Sequence, residues 1–119
     1  MSPAFQLQLE GGGYTAGETV KGTILVTEGG GSRSLEARLE FVEETDDYLE
    51  VPISISSGPL HMGDLAQGMS FEFALTLPPG ALPSYASEHG ELYWRIDATS
   101  DELGNDTHEI RRIGVEPRS

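Results

Sequence analysis

Residues 34–45 read Ser-Leu-Glu-Ala-Arg-Leu-Glu-Phe-Val-Glu-Glu-Thr. Leu35, Ala37, Leu39 and Phe41 occupy every second position, with Glu36, Arg38 and Glu40 between them. Side chains along a strand alternate between its two faces, so this pattern is a β-strand with one buried face and one wet face. On a helix the same four apolar residues would scatter around the axis. The fold class follows from this stretch: period two, not 3.6.

The same period recurs on both sides. Phe5, Leu7 and Leu9 alternate with Gln6, Gln8 and Glu10. Val20, Ile24 and Val26 share a face within 19–27, and Gly22 on that face marks a bulge or a close backbone approach. Leu49, Val51, Ile53 and Ile55 alternate around Pro52, which suits an edge strand or a bulge. Phe71, Phe73, Leu75 and Leu77 face inward over 70–77, until Pro78-Pro79-Gly80 stops the strand. Leu92, Trp94, Ile96 and Ala98 do so over 91–100. A last strand is expected over 107–116, with Ile110 out of phase with Ile113 and Val115, which predicts a bulge near Arg111-Arg112. Gly11-Gly12-Gly13 and Gly29-Gly30-Gly31 read as hairpin connections, since no Lys-Ser/Thr follows them as in a phosphate loop. About seven short strands with this punctuation make an all-β chain, an immunoglobulin-like antiparallel β-sandwich.

Composition bounds the rest. The 119 residues are read as one domain over 1–119, with a loose tail at 117–119. A chain of this length buries a core without metal or disulfide staples. It has no cysteine, which excludes disulfides, thiolate metal sites and cysteine nucleophiles. Twenty acids against seven bases give a net charge of −13, which is repelled by nucleic acid and by anionic lipid. Met1–Phe5 carries neither the basic nor the apolar segment of a signal peptide, and no apolar run approaches the roughly 20 residues of a membrane span. A cytoplasmic location and no membrane insertion are expected.

No catalytic constellation stands out. His61, His89 and His108 lie far apart without metal-ligand spacing and read as turn residues facing solvent. The acidic runs Glu43–Asp47 and Asp101–Asp106 are oxygen-rich enough for calcium but miss the spacing of a regular calcium loop, and Asp, Asn and Gly are also what turns require. Ser84, Ser87 and His89 are near in sequence, but no nucleophile elbow surrounds them. Hence no cofactor, no metal and no catalytic residue is expected, and the chain reads as a non-enzyme. Trp94 shares its face with Leu92 and Ile96 and belongs to the core, whereas Tyr93 shares its face with Arg95 and Asp97 and is expected at the surface.

The run Tyr14–Ile24, with Gly17-Glu18 leading into a strand that carries Gly22, resembles the opening of arrestin-like domains. Phe71–Pro78, Pro83-Ser84-Tyr85, Leu92–Ala98 and Asp106 resemble later strands of the same family, so the likeness spans residues 5–116. That family includes visual and adaptor arrestins, the retromer cargo subunit and bacterial sporulation-control proteins. The resemblance implies an arrestin-type sandwich used for protein contacts. Family members usually pair two sandwiches, and neither a Pro-Pro-x-Tyr motif nor a clathrin box occurs in this sequence.

The expected role is an adaptor or scaffold module that binds a protein partner or a second copy of itself. An exposed edge strand or loop anchors would carry the contact, with Met62, Leu82, Tyr85 and Tyr93 as partner-binding candidates. Two alternatives stay open. One is an extracellular calcium- or carbohydrate-binding sandwich, and the other is a structural fragment of a two-sandwich protein.

Overall fold

The computed structural model describes residues 2–117. Arg118 and Ser119, most of the expected tail, lie outside the described residues. Ten strands follow in order: β1 (Ala4–Leu9), β2 (Gly13–Tyr14), β3 (Thr19–Glu28), β4 (Ser34–Thr45), β5 (Leu49–Ser56), β6 (His61–Met62), β7 (Ser70–Thr76), β8 (Tyr85–Ala86), β9 (Gly90–Asp101) and β10 (Thr107–Val115). No helix occurs among the described residues. The seven expected strands are the seven long ones, and the three additional strands are two-residue pairings.

One sheet has the order β1-β3-β7 and the other β2-β10-β9-β4-β5, with β6 added to β4 and β8 to β9. All pairings are antiparallel except β2 on β10. The alternating apolar faces of both sheets meet. Phe5, Leu7, Val20, Ile24, Phe73 and Leu75 from one pack against Leu35, Leu39, Phe41, Trp94, Ile96 and Ile113 from the other.

The glycine triplets are not hairpins. After Gly11 the chain leaves the small sheet, pairs Gly13 and Tyr14 with the end of β10, and returns as β3. Gly29–Gly31 likewise carries the chain from the small sheet to the large one. The second crossing is crowded at its start, where a Cβ on Gly29 would stand 2.9 Å from the Leu65 carbonyl oxygen, whereas Gly12 and Gly13 have open space at theirs.

Pro52 lies where its missing N–H is harmless. β5 is the edge of the large sheet, and the pairs Phe41↔Ile53 and Glu43↔Glu50 leave Val51 and Pro52 opposite Val42 alone, a bulge. The bulge expected near Arg111-Arg112 is absent: β10 pairs with β9 in unbroken register from Thr107↔Ser100 to Ile113↔Trp94. Ile110 sits on the outer face opposite Asp97. Glu109 and Arg111 take the inward positions, yet both are exposed. The small sheet has three strands, with β1 nearest β10 and β7 nearest β4, so the rims of the large sheet overhang it. The irregular alternation reflects missing cover, not a kink.

Candidate partner-binding surface

The segment between β7 and β9 carries two of the proposed anchors, and the core holds it in place. Trp94 is fully buried, and its indole Nε1–H donates to the Leu82 carbonyl at 2.8 Å. Ser84 N–H donates to the Val115 carbonyl at 2.8 Å, and Val115 N–H returns a bond to Ser84 Oγ at 3.1 Å. Tyr85 and Ala86 then pair with Leu92 and Glu91. With its backbone tied down, the segment turns Leu82 (55%) and Tyr85 (63%) out to solvent.

The β4–β5 hairpin reaches the same end of the sandwich. Thr45 caps it: Thr45 N–H donates to the Tyr48 carbonyl, and Thr45 Oγ1 accepts from Asp47 N–H and Tyr48 N–H. Of the acidic run Glu43–Asp47, Glu43 to Thr45 complete β4 and only Asp46-Asp47 makes the turn, which acidic residues of this kind suit. It presents Tyr48 and Leu49, each about half exposed. Tyr48 and Tyr85 both line a shallow depression of about 300 Å³ floored by Leu92 and rimmed by Glu43, Glu44 and Glu91. A broader depression over β3 and β7, lined by Glu10, Lys21 and Glu72, has no strongly exposed large apolar side chain beside it.

The four candidates do not form one site. Met62 is exposed, at 68%, but pairs with Ser34 at the start of β4, whereas Tyr85 sits beside the segment of β9 that pairs with Glu43 and Glu44. Glu43 lies nine residue steps along β4 from Ser34, roughly 30 Å along a strand. Tyr93 corrects the surface expectation. It is on the outer face, but only 7% exposed. The Arg112 guanidinium stacks over its ring at 3.7 Å, and its hydroxyl donates to Glu44 at 3.4 Å.

Tyr93 belongs to a polar layer that covers the outer face of β4, β9 and β10. Arg95 Nε donates to Glu40 Oε1 at 2.9 Å, and both side chains are largely buried. Asp97, also buried, faces Thr99 Oγ1 at 3.0 Å and His108 Nδ1 at 3.0 Å. Glu36 accepts from Ser56 Oγ at 2.6 Å and from Arg38. The Ser56 hydroxyl first, and then Arg38, hold the Glu36 carboxyl below its ordinary pKa against the opposing effect of burial. Stability from Glu36 is therefore present above the ordinary carboxylate pKa and lost as pH falls through the lowered one. These residues sit in facing cross-strand registers such as Glu40↔Arg95 and Arg38↔Asp97. A buried charge left without its partner is costly. Glu40→Ala is expected to lower stability by about 2 kcal/mol in urea unfolding, and Glu40→Met with Arg95→Met by clearly less than the two single changes together.

The remaining chemistry stays dispersed. His61 packs against Phe71, His89 lies 3.6 Å from Asp46, and His108 faces Asp97. His108 thus joins the polar layer and is not a turn residue. Ser87 lines the same small hollow as His89 and Asp46, but its Oγ donates to the Gly90 carbonyl at 3.2 Å. No three His, Cys, Asp or Glu side chains converge into a metal cage among the described residues, and no helix there is long and apolar enough to cross a membrane.

No protein-family model matches the sequence, and no curated protein matches it. Its likeness appears in three dimensions. The crystal structure of Spo0M, the sporulation control protein from Bacillus subtilis, superposes with a TM-score of 0.67 at 20% sequence identity. The match covers 98% of this chain and 50% of that one, so the chain spans about half the length of that structure. The two packed sheets, the strand order and this superposition together show that the chain has the arrestin-like β-sandwich fold.

Proposed function

We propose that this sandwich is a non-catalytic interaction module that takes a basic partner segment at the end bearing Tyr48, Leu82 and Tyr85. One observation carries the reading: four of the most exposed large apolar side chains, Tyr48, Leu49, Leu82 and Tyr85, gather at one end on backbone tied to the core. Aromatic anchors on a rigid support, ringed by polar groups, are the usual makeup of a binding hot spot. Charge selects the occupant. Glu43, Glu44 and Glu91 rim the depression, and the net charge of −13 draws cationic segments and repels acidic ones. The name of the structural neighbour, a sporulation control protein, suits a regulatory adaptor.

The edge-strand route is less favoured, because the bulge and Pro52 blunt the rim of the large sheet. Self-association also works against the shared negative charge. A second reading, in which this sandwich packs against another of its kind, draws on the half-length match and on the half-exposed Leu49 and Ile53 of the overhanging β5.

The test is affinity capture from source lysate at low salt and at 0.5 M NaCl, with a Leu82→Asp/Tyr85→Asp variant alongside. The expected result is a partner held by the wild type, reduced at least tenfold in the variant and weakened by salt. Equal capture by the variant would rule out this end of the sandwich as the site.

A further inference from the structure

The hairpin joining β9 to β10 turns one carboxylate inward. Glu102 N–H donates to Asp106 Oδ1 at 3.1 Å, which fixes the turn. The Glu102 side chain is then 8% exposed, and its Oε2 accepts no hydrogen bond among the described residues. Buried polar atoms are nearly always partnered, and a carboxylate oxygen without a donor is costly unless a cation serves it.

Glu102 lines a depression of about 460 Å³ together with Asp64, Ser32, Gly31 and Arg33. Strand pairing places these loops side by side, since Ser34 is flanked by Met62 on one side and Asp101 on the other. Main-chain bonds fasten them: Arg33 N–H to the Asp101 carbonyl at 2.7 Å and Gly63 N–H to the Arg33 carbonyl at 3.0 Å. Asp64 Oδ1 accepts from Ser32 N–H at 3.2 Å, which orients the second carboxylate. Ser32 Oγ is held in turn by Ser34 and Ser100.

We propose that this depression binds one calcium ion, with Glu102 and Asp64 as its anionic ligands and neutral loop oxygens and water completing the shell. Arg33 cannot ligate a metal and Leu103 brings no side-chain donor; the side-chain donors of the lining, from Ser2, Ser32, Asp64 and Glu102, are all oxygens. That selects a hard cation over zinc or copper. Three irregular loops suit the flexible geometry of calcium better than the strict octahedron of magnesium. With two carboxylates the affinity is weak, with a Kd of roughly 10⁻⁴–10⁻³ M. The site lies at the end of the sandwich opposite Tyr85, so its fate is independent of the partner surface.

The experiment is a thermal melt at 10 mM CaCl2 against NaCl of equal ionic strength. It uses the wild type, Glu102→Gln, and Asp46→Asn/Asp47→Asn as a control for plain charge screening. Calcium is expected to raise the wild-type and control Tm by about 5 °C. Glu102→Gln should melt above the wild type without calcium, because an amide replaces an unserved buried charge, and should respond to calcium by less than about 1 °C. Calorimetric titration of the wild type should return one site. No calcium response in the wild type, or an equal response in Glu102→Gln, overturns the proposal. So does a Glu102→Gln variant that melts well below the wild type without calcium, since Arg33 would then be the partner of Glu102.

Discussion

Trp94→Ala is expected to lower the unfolding free energy by about 4 kcal/mol. The indole is fully buried on the central strand of the large sheet, with the Phe41 ring 5.0 Å away and Ile113 opposite it on β10. Truncation removes the largest apolar surface in the core and leaves a cavity that two pinned sheets close only in part. Domains of this size are stable by about 5–15 kcal/mol, so the variant would be marginal at physiological temperature. Trp94→Phe separates packing from the polar tie. It keeps a ring in place but drops the N–H that holds the Leu82 carbonyl at 2.8 Å. The expected cost is about 1–2 kcal/mol, with faster amide exchange confined to the Leu82 segment. Urea unfolding measures the first effect and hydrogen exchange the second. A loss of less than about 1 kcal/mol in Trp94→Ala would show that the core does not depend on this residue.

The long strands were legible because each has one face against the core and one in water. Residues 34–45 and 70–77 show this most clearly, and both form strands with the expected inward set. Gly22 and Pro52 were legible through the local demands of backbone space and a missing donor. What stayed hidden depends on neighbours remote in sequence. The pairs β2 on β10 and β6 on β4 have two residues on each side, and only the tertiary fold makes them strands. Glu40, Tyr93 and Asp97 each look solvated along their own strand. They are buried because Arg95, Arg112 and His108 lie over them from adjacent positions. The surface expectation for Tyr93 failed for that reason. Met62 and Tyr85 were both legible as exposed, but periodicity does not say at which end of a sandwich a loop emerges, and they emerge at opposite ends.

Gly22→Ala tests the small sheet at its tightest point, with a sign opposite to the usual one. Replacing a strand glycine by alanine ordinarily gains about 0.5–1 kcal/mol by reducing the freedom of the unfolded chain. At Gly22 a Cβ would stand 2.6 Å from Phe73 Cζ, 2.7 Å from the Gln8 carbonyl oxygen and 2.8 Å from Leu9 Cδ2. Leu9 and Phe73 are its register partners on β1 and β7, so all three strands of the sheet converge there. The Phe73 ring can rotate away at some cost to the core, but the Gln8 carbonyl cannot move without loosening β1 from β3. The net effect is expected to be a loss of about 2–3 kcal/mol in urea unfolding. Gly17→Ala provides the contrast. Nothing stands within 4 Å of its Cβ position, but its φ of +88° disfavours any side chain, so about 1 kcal/mol is lost through the backbone alone. Phe73→Leu then apportions the Gly22 clash. If the ring is the main obstacle, Gly22→Ala costs at least about 1 kcal/mol less in the Phe73→Leu background than in the wild type. If the two changes add, the clash lies on the β1 side, at the Gln8 carbonyl and the Leu9 side chain, and it is the spacing of β1 and β3 that requires glycine at this position.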